Sequence, residues 1–591
     1  MCGICGIYNY NKDAPVSEDI INSMNNTMVH RGPDDSGLFI GQFIGLGHRR
    51  LSIIDIHSGK QPMCNEDGSI WVTYNGEIYN FLELKDQLLK KGHVFKTNCD
   101  TEVIVHAFEE YGFECVLKFN GMFAFAVWDS KNEVLFLARD RLGIKPLYYS
   151  IINGNFIFAS EIKAILQHPM IEPEVELNSI PEYLFCTSLL NANTMFKDIF
   201  SVPAGHTIVF KNKTKQVSEY WDIKLEDIQS GDTSIDRYKE KIFSLLDDSV
   251  RMRLMSDVPF GSLLSGGLDS SIISALATRY VNDNLMTFAM EYSKNIQLGK
   301  SNIDTEFAGI MANTFQTDHR EFIFDPEEYK EVFEKVTWHL EKPIELTTPS
   351  LYLLHKSLKQ HITVVLSGEG ADELLGGYFF FLKEAQTNQL SEFPWAPYFK
   401  EVSMLINPEI ERETRFKENV KTSLNDFLNK FKTNDFLNKV LYLFIKIYLL
   451  EMLERQDKTS MAWSVEARVP FLDHRLVENI VNIPSRYKFK DDNEKYLLKE
   501  SFRDIIPPVI INRKKKPFPF PVDPMSVYRQ KNIANDLVQS GTSRISHYFD
   551  KKMTNNFFNK KNEFKGIDSL AIFRTSHSII ALEMWHKAFG V

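Results

Sequence analysis

Val258-Pro259-Phe260-Gly261-Ser262-Leu263-Leu264 runs straight into Ser265-Gly266-Gly267, and Leu268-Asp269-Ser270 opens a helical pattern that continues to Tyr280. An apolar strand, a glycine turn and a helix in that order make the first half of a βαβ unit. A second strand-to-loop unit follows at Ile362–Leu366 and Ser367–Gly370. The alternation predicts an α/β domain with a parallel sheet and helices on both faces. In the turn, two glycines let backbone N–H groups approach phosphate oxygens, and the following helix points its positive end at them. Serine hydroxyls add donors, and Asp269 can hold Mg²⁺. No GxxxxGK[ST] run is present, so this is not a Walker loop.

Upstream the pattern is different. Short strands are predicted at Ile4–Tyr10, Ile44–Ile54, Ile70–Asn75, Met122–Trp128, Val134–Ala138 and Phe156–Ala159, with helices at Leu82–Lys91 and Thr101–Tyr111. Strands in runs with helices grouped between them predict an α+β layered domain. A polar run, Glu226–Asp236, reads as the connection. The expected division is therefore 2–210 for the first domain, 211–235 for the linker and 236–591 for the second domain. Residues from about 380 to 460 read as helical, and Val440–Leu450 as a buried helix too short to span a bilayer.

Length and composition agree with two or more cores. The chain has 591 residues, 43% hydrophobic and 25% charged, with a net charge of −10. That balance argues against nucleic acid or an anionic membrane as a partner. The exception is Arg513-Lys514-Lys515-Lys516, which reads as a solvated loop or a contact to a small anion. All six cysteines lie in the first third; with no basic, apolar leader at the start, free thiols and a cytoplasmic location are expected.

Cys2 is the first residue with a chemical role. Removal of the preceding methionine would expose an α-amine, with a reference pKa of about 7.7–8.0, on the nucleophile itself. One residue could then carry both thiol and base. Asn75-Gly76 offers a side-chain amide beside an unhindered backbone N–H for an oxyanion. Arg50 can pair a carboxylate, and Glu77 and Asp100 an ammonium.

These residues stand in a longer pattern: Met1-Cys2-Gly3, His30-Arg31-Gly32-Pro33-Asp34, His48-Arg49-Arg50-Leu51-Ser52-Ile53, Tyr74-Asn75-Gly76-Glu77, Gly121–Phe125 and Arg139–Tyr148. It resembles the glutaminase domain of class II glutamine amidotransferases. The resemblance implies the N-terminal-nucleophile fold, an αββα sandwich. Cys2 would attack the glutamine amide, and Asn75 and Gly76 would form the oxyanion hole. Arg50, Glu77 and Asp100 would hold the substrate, with Leu51, Ser52, Ile53 and Ile54 lining the pocket.

The second domain, through Met255–Ser271, Ser367-Gly368-Glu369-Gly370-Ala371-Asp372-Glu373 and Val465–Asp473, resembles the ATP pyrophosphatase part of the asparagine synthetase B family. That implies ATP cleaved to AMP and pyrophosphate, with aspartate amidated through a β-aspartyl-AMP and ammonia passed through an internal channel. By the same resemblance Leu264 and Met290 contact adenine. Ser265, Gly266, Gly267 and Ser270 cradle phosphate, and Ser367 and Gly368 contact the nucleotide. Asp269 and Asp372 share magnesium, Glu369 serves the acyl-adenylate, and Lys495 stabilises phosphate charge. A homodimer is implied by relatives alone.

Two stretches depart from the family pattern, Glu341–Thr348 and Lys516–Pro521. They leave the acid acceptor open between aspartate and another acid, such as a sugar uronic acid or a biosynthetic intermediate.

Overall fold

The computed structural model describes residues 2–190, 192–225, 234–293, 303–378, 390, 392–431, 433–515, 518–521, 524–559 and 569–591. Most of the expected polar connection at 226–236, and the start of the helical region at 380–389, lie outside the described residues. No helix among the described residues is long and apolar enough to cross a membrane.

The strands of the first domain, in chain order, are β1 (Gly3–Asn9), β2 (Asp35–Ile40), β3 (Ile44–Arg50), β4 (Met63–Cys64), β5 (Ile70–Ile78), β6 (Gly121–Asp129), β7 (Val134–Arg139), β8 (Tyr148–Ile152), β9 (Asn155–Ala159), β10 (Ile199–Ser201), β11 (His206–Lys211) and β12 (Thr214–Glu219). They form two six-stranded sheets, ordered β10-β8-β9-β1-β3-β2 and β12-β11-β7-β6-β5-β4.

Strand alternation sets the layers. Ile4, Leu46, Ala124, Leu137 and Phe158 are buried between the sheets. Helix α1 (Glu18–Asn26) covers the outer face of the first sheet, where Ile21 and Met24 meet Cys5 and Ile7. Helices α2 (Phe81–Lys90) and α3 (Asp100–Tyr111) cover the second sheet through Leu84, Leu88, Val103 and Ile104 against Phe123, Phe125 and Phe136. The result is the expected αββα sandwich.

The second domain carries β13 (Phe260–Leu263), β14 (Met286–Tyr292), β15 (Asp318–Phe324), β16 (Val364–Leu366) and β17 (Glu466–Arg468), ordered β15-β14-β13-β16-β17. Every pairing in this sheet is parallel. Helix Leu268–Ala277 covers one face with Ile272, Ile273 and Leu276; helix Thr348–Leu358 covers the other with Leu351 and Leu354. Chain order reverses between β13 and β16, so the loops leaving those two strands open onto one crevice.

Three expectations need correction. The strand expected over 44–54 ends at Arg50, because the next backbone groups are taken elsewhere. Ser52 N–H donates to Asp34 (2.8 Å) and the Ile53 carbonyl accepts from Asp257 N–H (2.9 Å). The stretch 211–235 is not all connection, since β12 pairs along β11 from Thr214 to Glu219. The strand expected over 258–264 begins at Phe260, after Pro259, whose carbonyl accepts from Thr363 and Val364.

The two domains are joined through buried charge as well as apolar contact. Leu51, Ile53, Met122, Leu142 and Ile144 share one core with Leu449, Leu453, Met461 and Val469. Inside the joint, fully buried Arg31 donates to the Cys2 carbonyl (3.0 Å), Glu161 (2.9 Å) and Asp457 (2.8 Å). Removing one member of such a set strands the other charges. Lys163 still faces Glu161 at 2.7 Å and Lys145 faces Asp457 at 3.3 Å, so Arg31→Met should cost about 3 kcal/mol, the low end for a broken buried pair. Urea unfolding measures this; an unchanged midpoint would show that Arg31 does not hold the joint.

Candidate active sites

The first site forms where the two sheets of the sandwich touch. Cys2 precedes β1 in one sheet and Asn75 lies on β5 in the other; the Cys2 nitrogen donates to Asn75 Oδ1 at 2.9 Å. That nitrogen is a peptide N–H here and stands in for the amine that loss of Met1 would free. Asn75 is fully buried, yet its Nδ2 has no hydrogen-bond partner. A buried donor left free costs stability, and this one belongs to the side chain that holds the Cys2 nitrogen, so an oxyanion formed at Cys2 could satisfy it. Gly76 must be glycine, because a Cβ there would sit 2.1 Å from the Met122 carbonyl. Burial pushes the Cys2 thiol up, opposed by the Leu51 amide and Arg50.

Glu77 and Asp100 complete this site. Asp100 starts α3 and accepts from the Tyr74 hydroxyl (2.8 Å) and the Ile78 N–H (3.0 Å). Glu77 takes Arg468 on Oε2 at 3.2 Å, while Oε1 is buried with no partner. Burial, then the neighbouring Asp100, drives Glu77 well above the usual carboxylate range, and burial raises Asp100 too. Two buried carboxylates short of positive charge are suited to an ammonium group. Arg50 holds the Ile54, Asp55 and Ile56 carbonyls. It borders a cavity of about 420 Å³ with Leu51 and Ser52, walled on the far side by Val258 and Thr363 of the second domain. Cys2 and Asn75 do not line that cavity. Ile53 and Ile54 pack into the domain joint.

The second site is built on the two loops of the parallel sheet. Leu264 donates to the Phe288 carbonyl at 2.8 Å. Ser270 Oγ lies 3.2 Å from Ser265 Oγ and donates to the Gly267 carbonyl, which closes the turn into helix Leu268–Ala277. Gly266 has φ +67°, and a Cβ there would meet the Ala308 nitrogen at 2.5 Å. Gly368 brings the second loop against the first, since its Cβ would lie 3.0 Å from Ser270 N. Ser367 N–H donates to the Arg468 carbonyl (2.9 Å), and Glu369 N–H to Ser367 Oγ (3.3 Å). Met290, on β14, lies in the core under the crevice.

Asp269 and Asp372 face each other across Lys495, whose ammonium is 2.6 Å from one and 2.5 Å from the other. Burial raises both carboxylates, but Lys495 and Lys515 outweigh it at Asp372 and hold it well below its usual range. Asp269 Oδ1 is buried without a hydrogen-bond partner. Two convergent carboxylates with a free oxygen are the hard donors that Mg²⁺ prefers, so the residues fit that ion. Glu369 is pushed up by burial against the pull of Arg455. Arg455 in turn donates to Thr347 (2.6 Å) and reaches Glu345 (3.5 Å), inside one of the two stretches that depart from the family pattern.

The sequence reading assigned no role to Arg31, Asp457, Glu466, Arg468 or Arg455. Only Arg31, Glu466 and Arg468 lie in recognised motifs, and Asp457 and Glu77, which Arg31 and Arg468 pair with, are hundreds of positions away in the chain. A further group, His93, His106 and Glu109, falls within 4.8 Å. Despite burial, Glu102 and Glu109 hold His106 above its usual value, as expected of an ion-paired histidine.

Residues 1–221 match the glutamine amidotransferase domain family and residues 241–587 the asparagine synthase family. The glutamine-hydrolysing asparagine synthetase 3 of Bacillus subtilis is 34% identical over 88% of this chain and 87% of its own length. Its paralogue, asparagine synthetase 1, is 32% identical over 98% and 97%. An amidase, chry2, of Gibberella zeae is 28% identical over 88% of each chain. With both family matches and these relatives spanning both sites, the chain belongs to the glutamine-hydrolysing asparagine synthetase family.

Proposed function

We propose that this ligase makes asparagine from aspartate, glutamine and ATP, with ammonia passed between its two sites. The carrying observation is the free amide of Asn75 beside Cys2, in a chain whose other domain holds the paired carboxylates Asp269 and Asp372.

In the first half-reaction, Cys2 Sγ attacks the glutamine amide carbon and its proton passes to the α-amine. Asn75 Nδ2 and the Gly76 N–H hold the oxyanion. The amine then protonates the leaving nitrogen, ammonia departs, and water cleaves the thioester to glutamate. Arg50 takes the substrate carboxylate, and Glu77 with Asp100 take its ammonium.

In the second, a carboxylate oxygen of the acceptor attacks the α-phosphorus of ATP. The bond to the bridging oxygen breaks, and pyrophosphate leaves onto the turn Ser265–Ser270. Bound at Asp269 and Asp372, Mg²⁺ would supply charge neutralisation of the phosphates. Ammonia attacks the acyl carbon, Glu369 takes its proton, and AMP leaves. The mixed core of Leu51, Ile53, Met122, Leu449 and Leu453 supports a dry passage for neutral ammonia. Arg455 and Glu345, a cation and an anion beside Glu369, suit the α-carboxylate and α-ammonium of an amino acid.

Three outcomes test this reading. Cys2→Ala should abolish glutamine-dependent turnover and keep turnover with added ammonium; equal loss of both would refute the two-site scheme. In an acid panel with glutamine and Mg-ATP, AMP release should depend on aspartate. Release with a uronic acid or another carboxylate instead would identify the alternative acceptor. The third concerns pH. Glu77 and Asp100 have raised pKa values, so they are ionised above those values and protonated below them, and only the ionised pair attracts ammonium. KM for glutamine should therefore fall as pH rises through the acid range. Asp100→Asn should raise KM at least about tenfold, roughly 1.4 kcal/mol, and flatten that dependence.

A further inference from the structure

The cluster His93, His106 and Glu109 takes no part in either half-reaction. His106 and Glu109 stand one turn apart on α3 and share a face of it. His93 reaches them from the loop that follows α2. That loop turns at Gly92, with φ +98°, and the His93 N–H donates to the Leu88 carbonyl at 3.2 Å, which fixes where the imidazole starts. Glu109 Oε2 lies 2.8 Å from His106 Nδ1 and 3.6 Å from His93 Nδ1, and one donor atom from each residue falls within 4.8 Å of the others. Donor atoms around a single zinc ion, at its usual bond lengths, stand roughly 3.3 Å apart. His93, partly exposed and on a loop, is the member free to close the set.

The second atom of each ligand is engaged elsewhere. His106 Nε2 faces Glu102 at 3.7 Å, His93 Nε2 faces Glu110 at 3.3 Å, and Glu109 Oε1 accepts from Asn65 Nδ2 at 2.8 Å. Two of these outer partners are themselves held. Glu102 accepts from the Lys96 and Thr97 N–H groups and the Thr97 hydroxyl. The Asn65 amide is oriented by its Oδ1, which accepts from the Ser69 and Ile70 N–H groups. Outer groups of this kind set the tautomer and direction of a metal-bound imidazole. An ion-paired histidine needs one carboxylate, whereas here both Nδ1 atoms face one oxygen and each ring is backed by a carboxylate of its own. Glu109 also borders a cavity of about 450 Å³ whose wall carries Glu66, Asp67 and Asp129 beside Lys131, an acidic approach for a cation.

We propose that His93, His106 and Glu109 bind one zinc ion, through Nδ1 of each histidine and Oε2 of the glutamate, with water as the fourth ligand. Two imidazoles and one carboxylate suit zinc, while magnesium and calcium take oxygen donors. The ion ties the loop between α2 and α3 to the middle of α3. The far end of that loop bears on the glutamine pocket: the Asn98 N–H donates to Asp55 at 2.8 Å, Arg50 holds the Asp55 carbonyl, and Asp100 begins α3. The role is structural and stands apart from both reactions, so its test reads neither activity.

The test uses the full chain in excess Mg²⁺, which keeps Asp269 and Asp372 supplied with their preferred ion. Zn²⁺ is titrated against a chromophoric chelator, Co²⁺ is followed by its visible absorption, and thermal midpoints are taken with and without Zn²⁺. The unmodified protein should bind one equivalent of zinc, and zinc should raise its midpoint. Bound cobalt should show ligand-field bands with no thiolate charge-transfer band. His93→Gln and Glu109→Gln should each weaken zinc binding at least tenfold, about the least expected when a ligand is lost, and abolish the rise in midpoint. Cys2→Ala and the exposed-site variant Glu114→Gln should bind as the unmodified protein does. Zinc-free urea midpoints show that each variant is folded. Equal binding by His93→Gln and the unmodified protein would overturn the proposal, as would no zinc bound, or binding lost in Cys2→Ala. The cluster would then be an ion-paired histidine and nothing more.

Discussion

The guanidinium of Arg31 bears on the carbonyl of Cys2, on Glu161 and on Asp457 at once, with no exposure to solvent. One group thus holds the backbone of Cys2 and docks the helix Leu449–Met461 of the other domain. Neither domain could bury its share of this charge alone. An unpaired Asp457 or Glu161 in the joint would cost several kcal/mol, so the backbone at Cys2 is tied to the packing of the two domains.

Arg468 repeats the arrangement at the other side of the joint. Its side chain holds Glu466 (2.6 Å) and Glu77 (3.2 Å), while its own carbonyl accepts from Ser367 N–H (2.9 Å). Glu77 of the first candidate site and Ser367 of the second therefore share one partner. Burial and Arg468 oppose each other at Glu466, and Arg468 wins, holding that carboxylate at about 2. Glu77, with only one oxygen paired, stays raised. The same cation serves two carboxylates unequally, and the underserved one is where the substrate ammonium is expected.

The second site shows the complementary economy. Its carboxylates are matched by two lysines remote from them in the chain, Lys495 and Lys515. Local sequence had marked the second of these only as a basic run of no settled use. Glycines do the steric work around them: Gly76, Gly266, Gly368 and Gly377 each stand where a Cβ would collide with backbone or a charged group.

Much of this was legible in the chain itself. Strand–turn–helix at Phe260–Ala277 and the short alternating strands before it determined two domains and their layer types, because apolar periodicity and glycine turns are local properties. The order Cys2, Arg50, Asn75, Glu77, Asp100 and then Ser265–Ser270, Ser367–Asp372 determined which chemistry to expect. The sequence alone did not show that Leu51–Ile54 leaves the strand to serve the joint. Nor did it reveal Asp457, Arg468 and Lys515 as partners of the two sites. Those assignments depend on pairing charges far apart in the chain, as with Arg31 and Asp457, and only burial in the folded pair makes such partners obligatory.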